Sequence, residues 1–78
     1  MNKLELKEYT SEHVIYYYQP EGNGEKGEII YAFNTDEPET LKQAEKDGSG
    51  RYGHKACNKV KEYIDKNNLP IRSTQAWY

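Results

Sequence analysis

Residues 13–33, HVIYYYQPEGNGEKGEIIYAF, contain two apolar, aromatic segments separated by a glycine-rich loop. Gly22, Gly24 and Gly27 form a G-x-G-x-x-G pattern, which in dinucleotide-binding proteins opens a helix whose N-terminus holds the pyrophosphate. Here β-branched and aromatic residues follow the loop, so the sequence predicts a second strand in place of that helix. We therefore interpret residues 20–27 as the connection of a β-hairpin.

The segment before this hairpin predicts a further strand. Leu4 and Leu6 alternate with charged residues over residues 2–9, which is typical of a half-buried strand. Residues 13–19 and 28–34, by contrast, carry apolar or aromatic side chains on both faces. Consecutive strands joined by short turns favour an antiparallel meander.

Two helices are expected after the meander. Asp36, Pro38 and Glu39 have the spacing of a helix start with a capping box, so we predict a short helix over residues 36–47. The main helix is predicted from residue 50 or 51 to residue 67, because apolar residues recur there at helical spacing. Its apolar stripe comprises Tyr52, Ala56, Cys57, Val60, Tyr63 and Ile64.

Local signals refine the main helix and the C-terminal segment. Ser49 is a candidate N-cap, and either Asn67 or Asn68 is suited to a left-handed C-cap. Gly53 borders the apolar stripe, which indicates a close approach to the sheet. Residues 71–78 are predicted to form the last strand. The chain therefore predicts one small α+β domain over residues 1–78, with an antiparallel sheet of about four strands (β-β-β-short α-α-β) packed on one main amphipathic helix.

Charge is distributed unevenly along the chain, whose net charge is −2. Residues 1–47 carry five lysines and eleven acidic residues, whereas residues 48–78 carry six basic and two acidic residues. An acidic half opposes broad contact with a phosphate backbone, so nucleic acid is not an expected partner.

The expected compartment depends on the single cysteine and on hydropathy. Cys57 has no intramolecular partner, and small secreted domains usually depend on disulfides, which favours a reducing cytoplasmic location. No apolar run approaches the roughly 18–20 residues that cross a bilayer, so no membrane association is expected.

Catalytic and metal chemistry have little support in these residues. His54 and Cys57 form an H-x-x-C pair with His13 as the only further nitrogen ligand, whereas zinc takes about four ligands. The carboxylates are abundant and suit solvation and capping. We therefore assign no catalytic residue, no metal site and no cofactor.

The tyrosines are the main candidates for a functional surface. Strands two and three present two apolar faces, but one amphipathic helix covers only one of them, so a second copy or another protein is expected on the other. The same rings also suit core or cross-strand packing. The candidate interaction residues are Tyr16, Tyr17, Tyr18, Tyr31 and Tyr78, with Lys3, Lys7 and Arg72 as nearby cations.

The sequence thus predicts a non-enzymatic protein-interaction or homodimerising domain that uses an aromatic sheet face. Its partner would be a second copy or an unidentified protein. The alternative is a small-molecule or nucleotide-binding module that uses the loop from Gly22 to Gly27 and the neighbouring tyrosines.

Overall fold

A five-stranded antiparallel sheet with one helix on it forms the fold in the computed structural model, which describes residues 1–76. The strands are β1 (Asn2–Tyr9), β2 (His13–Pro20), β3 (Gly27–Ala32), β4 (Glu37–Lys42) and β5 (Arg72–Gln75), and the helix α1 is Arg51–Asp65. Their order across the sheet is β4-β3-β2-β1-β5. The predicted α+β class is confirmed, with five strands instead of about four.

The glycine-rich loop joins β2 and β3 as a hairpin, as predicted. Tyr18 pairs with Gly27 and Tyr16 with Ile29 in antiparallel register. Gly22 has φ 70° and therefore occupies the left-handed region that glycine tolerates without steric cost. The most aromatic strand thus lies in the middle of the sheet, between β1 and β3.

The predicted short helix over residues 36–47 is wrong, because Glu37–Lys42 forms the edge strand β4. The segment has few apolar side chains, so a helix there would bury too little surface. As a strand it completes the free edge of β3, where Ile29 pairs with Thr40. Pro38 suits this position because an edge strand tolerates the missing N–H.

Helix α1 follows the predicted stripe closely. Gly53, Ala56, Val60 and Tyr63 are its buried residues. Its end at Asp65 lies two residues before the predicted end at residue 67. The next turn contains Asn67 with φ 51°, so one of the two candidate asparagines takes the expected left-handed conformation.

The core between α1 and the sheet is largely aromatic. Tyr16 is fully buried, and its ring lies 5.6 Å from that of Tyr63. The Tyr16 hydroxyl donates a hydrogen bond to the carbonyl of Pro70 at 2.5 Å, which ties the segment after α1 to β2. Each buried ring removes about 150–250 Å² from water, so these rings supply much of the core.

Asp47 is the buried charged residue in the described part of the chain, with 1% of its surface exposed. Its carboxylate accepts hydrogen bonds from the backbone amides of Tyr52 (3.0 Å) and Gly53 (2.9 Å). It also accepts from the Tyr18 hydroxyl at 2.8 Å, and that hydroxyl accepts from the amide of Ala44 at 2.9 Å. We call these five residues the Asp47 cluster.

The Asp47 cluster caps α1 and fixes it to the sheet. The carboxylate satisfies two of the amides that a helix N-terminus leaves without an intrahelical acceptor, and its charge suits the helix dipole. The predicted cap Ser49 has a smaller part, since its hydroxyl accepts only from the amide of Arg51 at 3.3 Å. Burial raises the pKa of Tyr18 to about 12, so its hydroxyl stays protonated at neutral pH.

Two glycines leave the space that the Asp47 cluster needs. A Cβ on Gly27 would lie 2.3 Å from the Tyr18 ring and 2.5 Å from the backbone nitrogen of Ala44. A Cβ on Gly53 would lie 3.0 Å from the Tyr18 hydroxyl. The predicted close approach of Gly53 to the sheet is therefore confirmed.

We expect Gly27→Ala to lower the free energy of unfolding by about 1–3 kcal/mol, because the added methyl group meets a ring and backbone that have no room to move. Urea unfolding measures this change. Gly48→Ala is the matched control, since no atom lies within 4 Å of the added Cβ. It should change stability by less than about 0.5 kcal/mol, and equal losses in the two variants would contradict the packing described.

Candidate interaction surface on the open sheet face

One face of the sheet is covered by α1, and the opposite face is the open face. Because side chains alternate along a strand, the residues that point away from the helix lie on the open face. They include Lys3, Glu5, Ile15, Tyr17, Gln19, Glu28, Ile30, Arg72 and Thr74.

The predicted interaction tyrosines divide between the two faces. Tyr16 and Tyr18 have no exposed surface, and Tyr31 is 3% exposed, so all three rings lie in the core. Tyr17 lies on the open face and is half-buried. Tyr78 is outside the described residues. Among the described members of the set, Tyr17 is therefore the one that a partner can contact directly in this structure.

Two lysines lie against the Tyr17 ring. The Nζ atoms of Lys7 and Lys26 are 5.4 Å and 5.2 Å from the ring centroid, within the range of cation–π attraction. Lys7 also pairs with Glu28 at 2.8 Å, and Lys26 pairs with Glu5 at 3.0 Å. Each lysine ammonium thus lies over the Tyr17 ring and pairs with a glutamate of the same face.

The isoleucines of the open face expose less apolar surface than the sequence indicates. Ile15 is 8% exposed, and Ile30 is half-buried. Glu8 pairs with Ile15 in the strand register, and Glu39 pairs with Ile30. Charged residues therefore flank both isoleucines on the open face.

A groove of about 420 Å³ lies on this face beside Tyr17, and we call it the Tyr17 groove. Strands β1, β2 and β5 and the turn before β3 supply its walls. Its lining is Lys3, Leu4, Glu5, Tyr17, Gln19, Lys26, Arg72, Ser73 and Thr74. Three cations thus accompany one carboxylate here, although the whole chain has a net charge of −2.

Glu5 organises the cations of the groove. Its carboxylate accepts a hydrogen bond from Lys26 at 3.0 Å and from the Arg72 Nε at 3.3 Å. The hydrogen bond from Lys26, followed by that from Arg72, lowers the pKa of Glu5 from its usual value. Arg72 is 80% exposed, and no carboxylate in residues 1–76 lies within ion-pair distance of Lys3. Both cations are therefore accessible to an anion from solution.

The glycine-rich loop uses its amides within the protein. The amides of Gly22 and Asn23 donate to carbonyls of β2 at 3.1 Å and 3.0 Å. The amide of Glu25 donates to the carboxylate of Glu45 at 2.9 Å. A phosphate held by the loop would need such amides to point outward, so the geometry gives the nucleotide alternative little support.

The H-x-x-C pair forms neither a metal centre nor an activated nucleophile in this structure. His54 is exposed, whereas the Cys57 sulfur is half-buried with the Thr40 hydroxyl 4.0 Å away. Burial raises the pKa of the Cys57 thiol, which opposes formation of a reactive thiolate. Among the described residues, no group of three His, Cys, Asp or Glu side chains could hold a metal ion.

Sequence reasoning found only part of the Tyr17 groove. Lys3 and Arg72 were expected near the tyrosines, but Glu5 and Lys26 were missed. Lys26 and Arg72 are separated from Glu5 by 21 and 67 residues, and only the strand register brings them together. The alternation of lysine and glutamate along β1 was the available signal for a charged face.

The fold and the groove define a small α+β domain with a basic surface on an open sheet face. Comparison with known protein families, curated proteins and solved structures finds no match to this chain. Within residues 1–76, no helix is long and apolar enough to cross a membrane. The groove is characterised by its own lining, in which three cations, one carboxylate, the Thr74 hydroxyl and the Gln19 amide accompany a tyrosine ring.

We expect Lys26→Gln to raise the pKa of Glu5 more than Arg72→Gln does, because Lys26 makes the larger contribution to lowering it. An NMR titration of the Glu5 carboxyl carbon measures both shifts. The folded pKa lies below the ordinary value of 4.5, so stability from these pairs is present above pH 4.5 and lost as pH falls through the folded pKa.

Lys59→Gln is the control for this titration, because Lys59 pairs with Glu62 on α1. It should leave the Glu5 titration unchanged. A larger shift in Arg72→Gln, or no shift in either groove variant, would show that Lys26 does not hold the Glu5 carboxylate in solution.

Proposed function

We propose that this protein is a non-enzymatic interaction domain that binds an acidic segment of a partner protein in the Tyr17 groove. The observation that carries the proposal is the excess of cations around a half-buried tyrosine, three against one carboxylate, on an acidic chain. Its single cysteine fits a protein of the reducing cytoplasm.

Charge complementarity favours an acidic segment. A carboxylate of the partner would replace Glu5 at the exposed Arg72 and meet Lys3, which lies on the same sheet face two residue pairs along the β1–β5 ladder. Opposite charges of this kind increase the association rate and select the partner more than they increase raw affinity.

The remaining lining suits a peptide backbone. Gln19 and Thr74 offer hydrogen-bonding side chains along the same groove. A volume of about 420 Å³ accommodates a few residues of an extended chain. The Tyr17 ring supplies apolar contact between the charged groups, a combination that is common at protein interfaces.

A separate partner fits this surface better than a second copy does. Two-fold pairing of the groove with itself would bring the same cations of both copies together, at an electrostatic cost. The exposed edge of β4 carries Glu37, Pro38 and Glu39, residue types that oppose edge-to-edge pairing. We therefore favour a heterologous partner, and homodimerisation becomes an outcome for experiment.

The alternative, a small-molecule or nucleotide-binding module at the Gly22–Gly27 loop, has less support. The loop amides described above donate inward. Glu21 and Glu25 flank the loop and would repel a phosphate. Contact with nucleic acid also disagrees with the net charge of −2.

We expect a labelled peptide of alternating glutamate and threonine to bind the protein, and its lysine–threonine counterpart to bind elsewhere or not at all. Fluorescence anisotropy measures the affinity, and NMR shifts of Tyr17 and Thr74 report the site. Lys26→Glu combined with Arg72→Glu should weaken binding roughly tenfold, since two favourable charge contacts become repulsive.

The control variant combines Lys46→Glu with Arg51→Glu, which changes the net charge equally at exposed positions outside the groove. It should retain nearly full affinity. Equal losses in the two double variants would contradict a specific site, as would no binding by the wild type. Sedimentation of a dimer that Lys26→Glu dissociates would assign the groove to a second copy instead.

A further inference from the structure

Strand β5 forms one edge of the sheet, and its ladder to β1 shows which of its backbone groups face outward. The Leu6 amide donates to the carbonyl of Ile71 at 2.8 Å, directly before the four residue pairs that join β1 to β5. Hydrogen-bonded and non-hydrogen-bonded pairs alternate along an antiparallel ladder. The pair at Ser73 is therefore hydrogen-bonded, whereas the pairs at Arg72 and Thr74 are not.

The backbone N–H and C=O groups of Arg72 and Thr74 consequently point away from β1, off the edge of the sheet. Within residues 1–76, no backbone hydrogen bond from a turn or loop reaches these groups. Both residues are exposed, and the helix meets β5 from one face, where the Tyr63 hydroxyl contacts that of Ser73. The edge thus offers two donors and two acceptors to an extended chain from outside.

The two edges of the sheet differ in how they oppose a further strand. Edge strand β4 carries two acidic residues and Pro38, which removes a backbone donor. Strand β5, Arg72–Gln75, has no proline and no acidic residue, and Arg72 is its single charge. Unpaired backbone groups on such an edge are a template for another strand. Strand β5 is therefore the open edge, and its charge opposes a cationic strand there.

The side chains beside this edge differ between the two faces of the sheet. Arg72 and Thr74 lie on the open face with Lys3, at the border of the Tyr17 groove. Ile71 directly precedes β5 and, by alternation, shares the opposite face with Ser73. Ile71 is 69% exposed. A strand added here would place alternate side chains beside cations on one face and beside an exposed isoleucine on the other.

We propose that the partner's acidic segment binds as an added antiparallel strand on the β5 edge, with acidic residues alternating with apolar ones. Its acidic side chains lie beside Arg72 and Lys3, and its apolar side chains lie beside Ile71. The inference rests on the proposed function, because it specifies how the acidic segment is held. In strand addition, main-chain hydrogen bonds supply affinity and alternate side chains supply specificity.

The antiparallel direction decides which amides of the segment bind. Parallel pairing is slightly less stable, and every strand pair of the described sheet is antiparallel. Residues directly opposite each other in an antiparallel pair share a face. The residues opposite Arg72 and Thr74 are therefore the acidic ones, and their amides face β5. The amides of the apolar residues face away.

A second copy is a poorer occupant of this edge. Two-fold pairing of β5 with itself would place Arg72 and Lys3 of both copies on one continuous face, at an electrostatic cost. An acidic strand brings the opposite charge to the same positions. Charge complementarity therefore favours the acidic segment.

N-methylation of a peptide tests the added strand, because it removes an amide donor at a chosen residue. The probe is a labelled peptide of alternating glutamate and valine, prepared unmodified, N-methylated at the glutamates and N-methylated at the valines. Fluorescence anisotropy measures the three affinities. Methylation at the glutamates should weaken binding about tenfold, since donors to β5 are lost, whereas methylation at the valines should change it less than about twofold.

Thr74→Pro tests the same edge from the protein side. It removes the outward amide of Thr74 but no hydrogen bond to β1, and proline is tolerated at an edge whose N–H faces solvent. We expect it to weaken binding of the unmodified peptide about fivefold. Thr74→Val is the matched control, because it keeps the amide, and it should retain the affinity. In the wild-type complex, slower hydrogen exchange of the Arg72 and Thr74 amides gives an NMR readout that needs no variant.

One result separates this inference from the proposed function. Binding that Lys26→Glu with Arg72→Glu weakens, but that glutamate N-methylation does not, would overturn the added strand and leave the acidic partner in the groove. Loss caused by valine N-methylation alone would also contradict the antiparallel strand, as would equal losses in Thr74→Pro and Thr74→Val. Failure of every acidic peptide to bind would overturn both proposals. Self-association that Thr74→Pro abolishes would assign the β5 edge to a second copy instead.

Discussion

The Asp47 carboxylate, buried between the N-terminus of α1 and the Tyr18 hydroxyl, is the interaction on which the rest of the structure depends. A charge withdrawn from water is tolerated only where hydrogen bonds replace its hydration, and three donors do so here. These three hydrogen bonds fix the position of α1 on the sheet. Gly27 and Gly53 favour that position, because a Cβ would overlap the Tyr18 ring at Gly27 and crowd the Tyr18 hydroxyl at Gly53.

The open face results from this placement of α1. The helix covers one face near the Asp47 end, so the opposite face and the far end of the covered face meet solvent. The open face is stabilised there by lysines that lie over Tyr17 and pair with glutamates. The far end keeps Tyr9 and Phe33 exposed.

The sequence predicted those elements whose signals lie within a short segment of the chain. The alternation in β1, the hairpin at Gly22–Gly27 and the helical stripe of α1 are local patterns, and each was confirmed. Strand β4 was missed because the capping-box spacing at residues 36–39 is a local signal for a helix. The pairing with β3, which makes this segment a strand instead, is not local. Asp47 was missed as a cap because the sequence placed it at the end of a short helix that does not form. Its bond to Tyr18, which lies 29 residues earlier in the chain, was not a local signal either. The Tyr17 groove likewise depends on strand register.

Hydrogen exchange of individual amides, followed by NMR, tests the Asp47 cluster most directly. Amides in the first turn of a helix normally lack an intrahelical acceptor and exchange quickly. If the carboxylate holds them, the amides of Tyr52 and Gly53, with that of Ala44, exchange as slowly as those in the centre of β2 and β3. Exchange of these three amides as fast as that of the exposed Gly48 would contradict the account.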